Sequence, residues 1–372
     1  MKTLLSFIVL ISLFFAGCAS KEVFEPQEVK DDWEHYGDTD FTIENIAPKI
    51  ALVEDNKVMI KGKEVDITIP ESHRLLGFSD GWVLSSSIDG NLTIQSTDDT
   101  SLYENFNLKK TIATASIKGD TIAVLLTTNE MILYSMLKNK IILREKGDAP
   151  TVVNAKIVEP KFQGELVVFS TLDGKVVIIN KKTKKKLRTV IVSGEDHFNN
   201  VIYYNIVNNK IIAATGYKIL SLSQKEHRVR HDIRTVVDDG NNIYIATKQG
   251  EIISLTPDLQ QNKRVKFPFA HFLGMIVHED KVYALEKEGY IIELSKDLLE
   301  YDIYDVDVED GYIFVGSDKF YVDDEYISVV SQQDEEPHDE NVRKEEYYDR
   351  EDKKHYFEDE NEEERIREEF YD

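Results

Sequence analysis

Residues 167–192 read VVFSTLDGKVVIINKKTKKKLRTVIV. An apolar run from Val167 to Phe169 gives way to small residues at Ser170 and Thr171. Asp173-Gly174-Lys175 follows as a turn, and a second apolar run, Val176 to Ile179, ends at Asn180. A lysine-rich stretch then leads into Val190-Ile191-Val192. Short β-branched runs separated by an Asp-Gly pair read as antiparallel strands joined by tight turns. Helical periodicity is nearly absent from the whole region 50–329.

The unit recurs. Residues 81–94 read GWVLSSSIDGNLTI and residues 242–255 read NIYIATKQGEIISL, with residues 165–179 as the third clear copy. Looser copies lie at 120–134, 209–222, 280–294 and 311–322, and a further short strand precedes most of them. Turn glycines stand at Gly90, Gly174, Gly250 and Gly289, with Asn129 and Gly216 in the corresponding place of two other copies. Units about 30 to 45 residues apart mark a repeat architecture. One unit is a small antiparallel sheet with apolar faces that it cannot bury alone. Stacking such sheets around an axis buries each face on its neighbour. The small residues Ser85, Ser170, Ala214, Ala246 and Ala284 suit the crowded contact between sheets. The expectation is therefore an all-β protein, a β-propeller of seven blades with eight also compatible, over residues 46–330. The short last unit would be completed by the early strands at 50–60 and 65–69. A β-sandwich or a solenoid is the alternative arrangement of the same strands.

The two ends differ from this core. Lys2 precedes a nearly unbroken apolar run over residues 4–15. That is the length of a signal-peptide apolar region and short of the ~20 residues of a membrane-spanning helix. Phe15-Ala16-Gly17-Cys18 follows, and Cys18 is the only cysteine of the chain. A lone cysteine in an exported protein has no internal disulfide partner. At the other end, residues 334–372 hold 19 acidic and 7 basic residues, half of the net charge of −24. So few aliphatic residues cannot offset the entropy of ordering. Disorder is expected for this tail, with a salt-bridged helix over 340–370 as the alternative. The resulting division is a signal peptide at 1–17, a tether at 18–45, the propeller at 46–330 and the acidic tail at 331–372. An acidic chain lacks the basic face that nucleic-acid binding uses.

The Phe15-Ala16-Gly17-Cys18 stretch resembles the bacterial lipobox, with Phe15 where that motif usually has Leu. The resemblance implies cleavage before Cys18 and lipidation of its thiol, so that Cys18 with its acyl chains (palmitate among them) anchors the protein. Ala19 lacks the acidic residue that retains enteric lipoproteins at the inner membrane, which implies the outer membrane, facing the periplasm. The stretch 167–192 resembles the repeat of quinoprotein-type propellers. Asp173, Gly174 and Lys175 match its turn, Lys184 replaces the glycine of its second turn, and its usual tryptophan is missing near Arg188. Lipobox and propeller together resemble the BamB family of the outer-membrane barrel-assembly machinery. That resemblance implies a non-enzymatic scaffold without cofactor, whose partners are envelope proteins, including barrel-assembly subunits. An accessory lipoprotein of another envelope complex, such as a respiratory one, is the alternative.

Other motifs carry less. Quinoprotein dehydrogenases bind their quinone and Ca²⁺ beside a vicinal disulfide, for which this chain has no cysteines. His227 and His231, four apart, fall between strands and make at most two metal ligands. Lys181, Lys182, Lys184, Lys185 and Lys186, with Arg188, form the strongest basic run. It reads as a solvated hairpin tip, or as a patch for an anionic membrane surface or an acidic segment such as the tail. Asp89-Gly90-Asn91-Leu92-Thr93 resembles an extended bacterial N-glycosylation acceptor and equally reads as a turn. No phosphate loop, nucleophile elbow or catalytic carboxylate pair stands out, so no catalytic, cofactor or metal residue is expected.

Overall fold

The computed structural model describes residues 22–308 and 311–330. The described residues form eight four-stranded antiparallel sheets. Blade 1 is β2–β5 (Ile43–Ala47, Ile50–Val53, Lys57–Ile60, Lys63–Thr68) and blade 2 is β6–β9 (His73–Ser79, Trp82–Ser87, Asn91–Ser96, Tyr103–Asn107). Blade 3 is β10–β13 (Ile112–Lys118, Thr121–Leu126, Met131–Ser135, Lys140–Glu145) and blade 4 is β14–β17 (Lys161–Gln163, Leu166–Ser170, Lys175–Asn180, Lys185–Ile191). Blade 5 is β18–β21 (Tyr203–Val207, Lys210–Ala214, Lys218–Leu222, Glu226–Arg230) and blade 6 is β22–β25 (Ile233–Asp238, Ile243–Thr247, Glu251–Leu255, Gln261–Lys266). Blade 7 is β26–β29 (Phe272–His278, Lys281–Glu286, Tyr290–Ser295, Tyr301–Asp305). Blade 8 is β30–β32 (Ile313–Val315, Lys319–Val322, Glu325–Ser328) completed by β1 (Tyr36–Asp38).

The first strands of neighbouring blades meet one another, β6 with β10 and β22 with β26 among them, so they line the axis. The middle two strands of each blade are packed on both faces. That is why β11, β12, β23 and β24 read as unbroken apolar runs, and all of their residues but Thr121 and Glu251 are buried. The fourth strands face solvent and are polar, as in β17 and β25. Apolar clusters fill the spaces between blades. Leu84 and Ile94 of blade 2 pack with Ile122 and Ile132 of blade 3. Tyr244 and Ile252 of blade 6 pack with Val282 and Ile292 of blade 7. Ser85, Ser170, Ala214, Ala246 and Ala284 are all buried and lie on second strands, where blades approach closely.

One hydrogen bond explains the repeat. In every blade the residue just past the fourth strand donates its N–H to a carbonyl in the turn between second and third strands. The pairs are Ile69 to Asn56, Leu108 to Gly90, Gly147 to Asn129, Val192 to Gly174, His231 to Tyr217, Phe267 to Gly250, Val306 to Gly289 and Thr39 to Asp324, at 2.6–3.1 Å. In six blades the accepting residue is left-handed: Asn56, Gly90, Asn129, Gly174, Gly250 and Gly289. A Cβ at Gly250 would lie 2.2 Å from the Phe267 carbonyl oxygen, and one at Gly90 2.3 Å from that of Lys110. Glycine is thus required twice, by its backbone angle and by the approach of the next crossover.

Seven hairpins were legible in the sequence; six are the middle pair of a blade, and the one at 311–322 is the first pair of blade 8. The eighth blade comes from the early strands, which do not complete the last unit but form blade 1. The last unit is closed instead by β1, whose Tyr36, Gly37 and Asp38 pair with Ile327, Tyr326 and Glu325. The preceding residues are also part of the fold, so 22–45 is not a free tether. Lys30 and Trp33 donate their N–H groups to the carbonyls of Ile303 and Asp305, and Asp305 donates to Asp31, which lays the segment parallel to β29. Phe24 is buried edge-on against Phe267 and Tyr290. Trp33 is buried against Tyr283 and Tyr304 and donates its indole N–H to the Ser328 carbonyl at 2.9 Å. The N-terminal segment therefore stitches blades 6, 7 and 8 before blade 1 begins. Tail residues 331–372 and Cys18 lie outside the described residues.

Replacing Gly250 by alanine is expected to cost at least about 2 kcal/mol, since it combines left-handed strain with a backbone clash. Gly164, left-handed at φ +54° with nothing within 4 Å of an added Cβ, is the control. Its alanine variant is expected to cost about 1 kcal/mol. Urea-unfolding midpoints of the two variants measure the difference.

Candidate functional site: the crossover face and channel mouth

The connections from each fourth strand to the next first strand emerge on one face, together with the turns between second and third strands. Two crossovers are long, residues 146–160 before blade 4 and residues 192–202 before blade 5. Buried asparagines brace them. The Asn200 side chain accepts the Asn154 N–H at 2.6 Å and donates to the Lys156 carbonyl at 2.7 Å. Asn199 donates to the Ser193 and Asp173 carbonyls. Asn129 donates to Asp173 Oδ1 at 2.6 Å and accepts from the Leu172 N–H.

That framework presents apolar side chains to solvent. Phe198 is 48% exposed and Phe269, in the crossover between blades 6 and 7, is 56% exposed. Val152 is also exposed, and its carbonyl accepts the Phe198 N–H at 2.8 Å. Both phenylalanines are left-handed, with φ of +51° and +67°. Phe267-Pro268-Phe269-Ala270 closes a turn through the Ala270 N–H to the Phe267 carbonyl, with Phe269 at the position that type II turns give to glycine. A bulky side chain held there is strained by about 1–2 kcal/mol, and it gains no burial in return.

The channel mouth beside these loops is cationic. Arg74 at the start of β6 reaches the next blade and donates to the Ala113 carbonyl at 3.1 Å. Arg234 is the extra residue of a bulge in β22 and donates to the His271 imidazole. Lys156 has open surface, yet burial and then the Arg234 guanidinium push its pKa down. Lys156 lies in the crossover before blade 4 and Arg234 on the first strand of blade 6. Burial pushes Arg74 and Arg234 down too. Among the described residues no carboxylate lies within 4.0 Å of these three cations. Arg144, Arg188, Arg228, Arg230 and Arg264 all have ion pairs.

The other end of the channel is crossed by an ion pair. Lys49, in the first turn of blade 1, lies 3.1 Å from Glu159 at the entry to blade 4, and Lys161 meets the same carboxylate. Burial alone would push Glu159 up, but the attraction of Lys161 and then of Lys49 outweighs it and holds the carboxyl below its ordinary range. The arrangement offers apolar contact and cationic attraction. It does not assemble a nucleophile with a base.

The motifs singled out in the sequence fall elsewhere. His227 is exposed in β21, while His231 lies just past that strand, its pKa pushed down by burial and then by Arg264. The two do not converge, and among the described residues no group of three or more His, Cys, Asp or Glu could hold a metal ion. The basic run forms the exposed outer hairpin of blade 4. Asn91 begins β8 with its side-chain oxygen accepting from Asn107 at 2.6 Å. No helix among the described residues is long and apolar enough to cross a membrane. The phenylalanines and lumen cations were not legible as a site. Pro268-Phe269 in a turn without glycine, and an arginine within the apolar stretch Ile233 to Val237, were their only traces.

No protein-family profile matches the chain. It is 30% identical over 261 residues to the plasminogen-binding protein PgbB of Helicobacter pylori strains J99 and 26695, matching 69% of this chain. The chain spans just under half, 45%, of the length of those relatives. Its fold is similar to that of BamB from Moraxella catarrhalis, with a TM-score of 0.62 at 10% identity, covering 79% of this chain and 98% of that one. The C-terminal WD40 domain of Sif2 is similar at a TM-score of 0.59 and 10% identity, covering 82% and 100%. These likenesses agree with the propeller reading and the BamB-type architecture.

Glu159→Gln is expected to destabilise the fold by about 1–2 kcal/mol at neutral pH, less than a fully buried pair because Lys49 is exposed. A carboxyl with a lowered folded pKa stabilises above its unfolded value of about 4.3 and loses that contribution as pH falls. The gap between wild type and variant in urea unfolding should therefore close with acidification below about pH 4.

Proposed function

We propose that this chain is a non-catalytic envelope scaffold, lipidated at Cys18 and held at the outer membrane facing the periplasm, which binds other proteins on its crossover face. The observation that carries the reading is the pair Phe198 and Phe269. Both are half-exposed, left-handed and on one face. An exposed aromatic in a strained backbone gives up fold stability, and partner contact is the gain that balances it. Aromatic side chains ringed by polar loops are typical interface anchors. The BamB-like architecture supports barrel-assembly subunits as the partners. The lipobox-like Phe15-Ala16-Gly17-Cys18 supports the anchor. The similarity to PgbB supports a second reading, in which the partner is plasminogen.

The test is affinity purification from gently solubilised envelopes, comparing wild type with Phe198→Gly/Phe269→Gly. Glycine suits both backbone positions, so the variant should melt no lower than wild type. Its recovery of barrel-assembly subunits should fall at least about tenfold, as expected for loss of two anchors at ~1 kcal/mol or more each. Unchanged recovery would remove the crossover face as the docking surface. Recovery of a respiratory complex, or direct binding of purified plasminogen by a chain that recovers no assembly subunits, would replace the barrel-assembly role. Cys18→Ala should move the protein from the membrane to the soluble fraction.

A further inference from the structure

The outer strands of blades 4, 5 and 6 form a continuous basic rim. Residues 181–191 carry six bases and no acid, residues 223–231 three bases and one acid, and residues 256–266 three bases and one acid. Lys182, Lys184, Lys185, Lys225, Lys263 and Lys266 are exposed there, and none of them has a carboxylate within 4.0 Å among the described residues. Blade 3 shares the bias, with three bases and one acid over residues 136–145, while blades 7 and 2 are different. Residues 296–305 of blade 7 carry one base and four acids, and residues 97–107 of blade 2 carry three acids and no base. Lysines on open edge strands discourage edge-to-edge pairing. Charge of either sign serves that purpose, and the acids of β9 serve it on blade 2, so edge protection does not account for one sign prevailing on four successive blades, 3 to 6.

The rim lies where the chain enters the fold. Phe24 is pinned against Phe267, the residue that follows β25 of blade 6, and the groove there is lined by Val23, Lys266 and Tyr301. Phe24 is six positions along the chain from Cys18, with five residues between them. Fully extended, that stretch reaches at most about 20 Å. A lipid on Cys18 therefore holds the junction of blades 6 and 7, not an arbitrary edge, close to the bilayer, and a reach of that size leaves the blade 6 end of the rim within a few Debye lengths of ~8–10 Å from the surface.

We infer that the basic rim of blades 4–6 lies against the surface of anionic lipid, so that the anchor and the rim together fix the orientation of the propeller. Acyl chains supply attachment and the lysines supply direction, the division of labour of lipid anchors paired with basic patches. The inference rests on lipidation of Cys18. It sets the ring edge-on, with the crossover face turned sideways and open to partners.

The experiment uses the full lipidated chain in vesicles of zwitterionic lipid alone or with about a third of an anionic phospholipid, the fraction chosen to give the surface a negative potential. Amide hydrogen exchange is read on peptides covering 181–191, 223–231 and 261–266. Exchange in these segments should slow at least about fivefold on anionic vesicles only, and the protection should vanish at about 0.5 M salt, where screening is short-ranged. K182E/K185E/K225E/K263E, at exposed positions without ion pairs, should keep its melting temperature and lose the protection. Failure of the wild type to sediment with either vesicle removes the anchor itself. Sedimentation with both but equal exchange on both, or protection that the quadruple variant retains, overturns the orientation and leaves the anchor standing.

Discussion

Closure of the ring is the constraint on which this structure depends. A four-stranded sheet with two apolar faces has no solvent-compatible surface of its own, and each blade becomes soluble only when both neighbours are in place. The circle must therefore end on a blade as well formed as the others. The chain meets this by giving blade 8 its outer strand from residues 36–38 and by sewing residues 24–33 across blades 6 and 7. Trp33 sits at the seam, with its ring on Tyr283 and Tyr304 of blade 7 and its N–H on Ser328 of blade 8. First and last segments pair along β1 and β32 and meet again at Trp33, so the fold is closed by non-local pairing and cannot be completed by either end alone.

Closure also decides where function can lie. Inter-blade faces are consumed by packing, and the outer strands, crossovers and channel remain. The two long crossovers before blades 4 and 5 interrupt the regular rim, and their buried asparagines replace apolar packing with directed hydrogen bonds. A loop braced in that way can hold Phe198 at a left-handed angle against its own preference. The cost falls on the fold and the benefit is surface, the usual mark of a site rather than of packing.

Much of this was legible, and the limits are physical. Gly90, Gly174, Gly250 and Gly289 mark their blades because two demands, positive φ and a close backbone approach, leave glycine as the residue that meets both. Asn129 satisfies the first with its local hydrogen bonds and was legible as a stand-in. Blade 1 uses Asn56 in a turn with no glycine, and blade 8 uses Asp324 with an ordinary angle, so the ends of the repeat fade. A strand as short as Tyr36–Asp38 has no periodicity to read, and its role is set by the partner edge that β32 leaves open. Phe269 was hidden because the turn that would advertise glycine carries a phenylalanine. Lys156 and Arg234 stand far apart in sequence and come within electrostatic reach only in the folded ring.

The same logic joins the charge pattern to the architecture. Near the axis a cation is hard to neutralise, because a partner acid would have to come from a blade that curves away from it. Glu159 manages this at one end, drawing Lys49 across from blade 1. At the crossover end no carboxylate among the described residues comes within 4.0 Å of Arg74, Lys156 or Arg234, and burial and then the Arg234 charge lower the affinity of Lys156 for its proton. On the circumference geometry imposes no such restriction: each outer strand is free to carry either sign. Lumen charge is thus partly a consequence of closure, while rim charge is a choice of sequence. A prevailing positive charge over four consecutive outer strands, ending beside the point where the chain enters the fold, is for that reason the stronger guide to what the propeller faces.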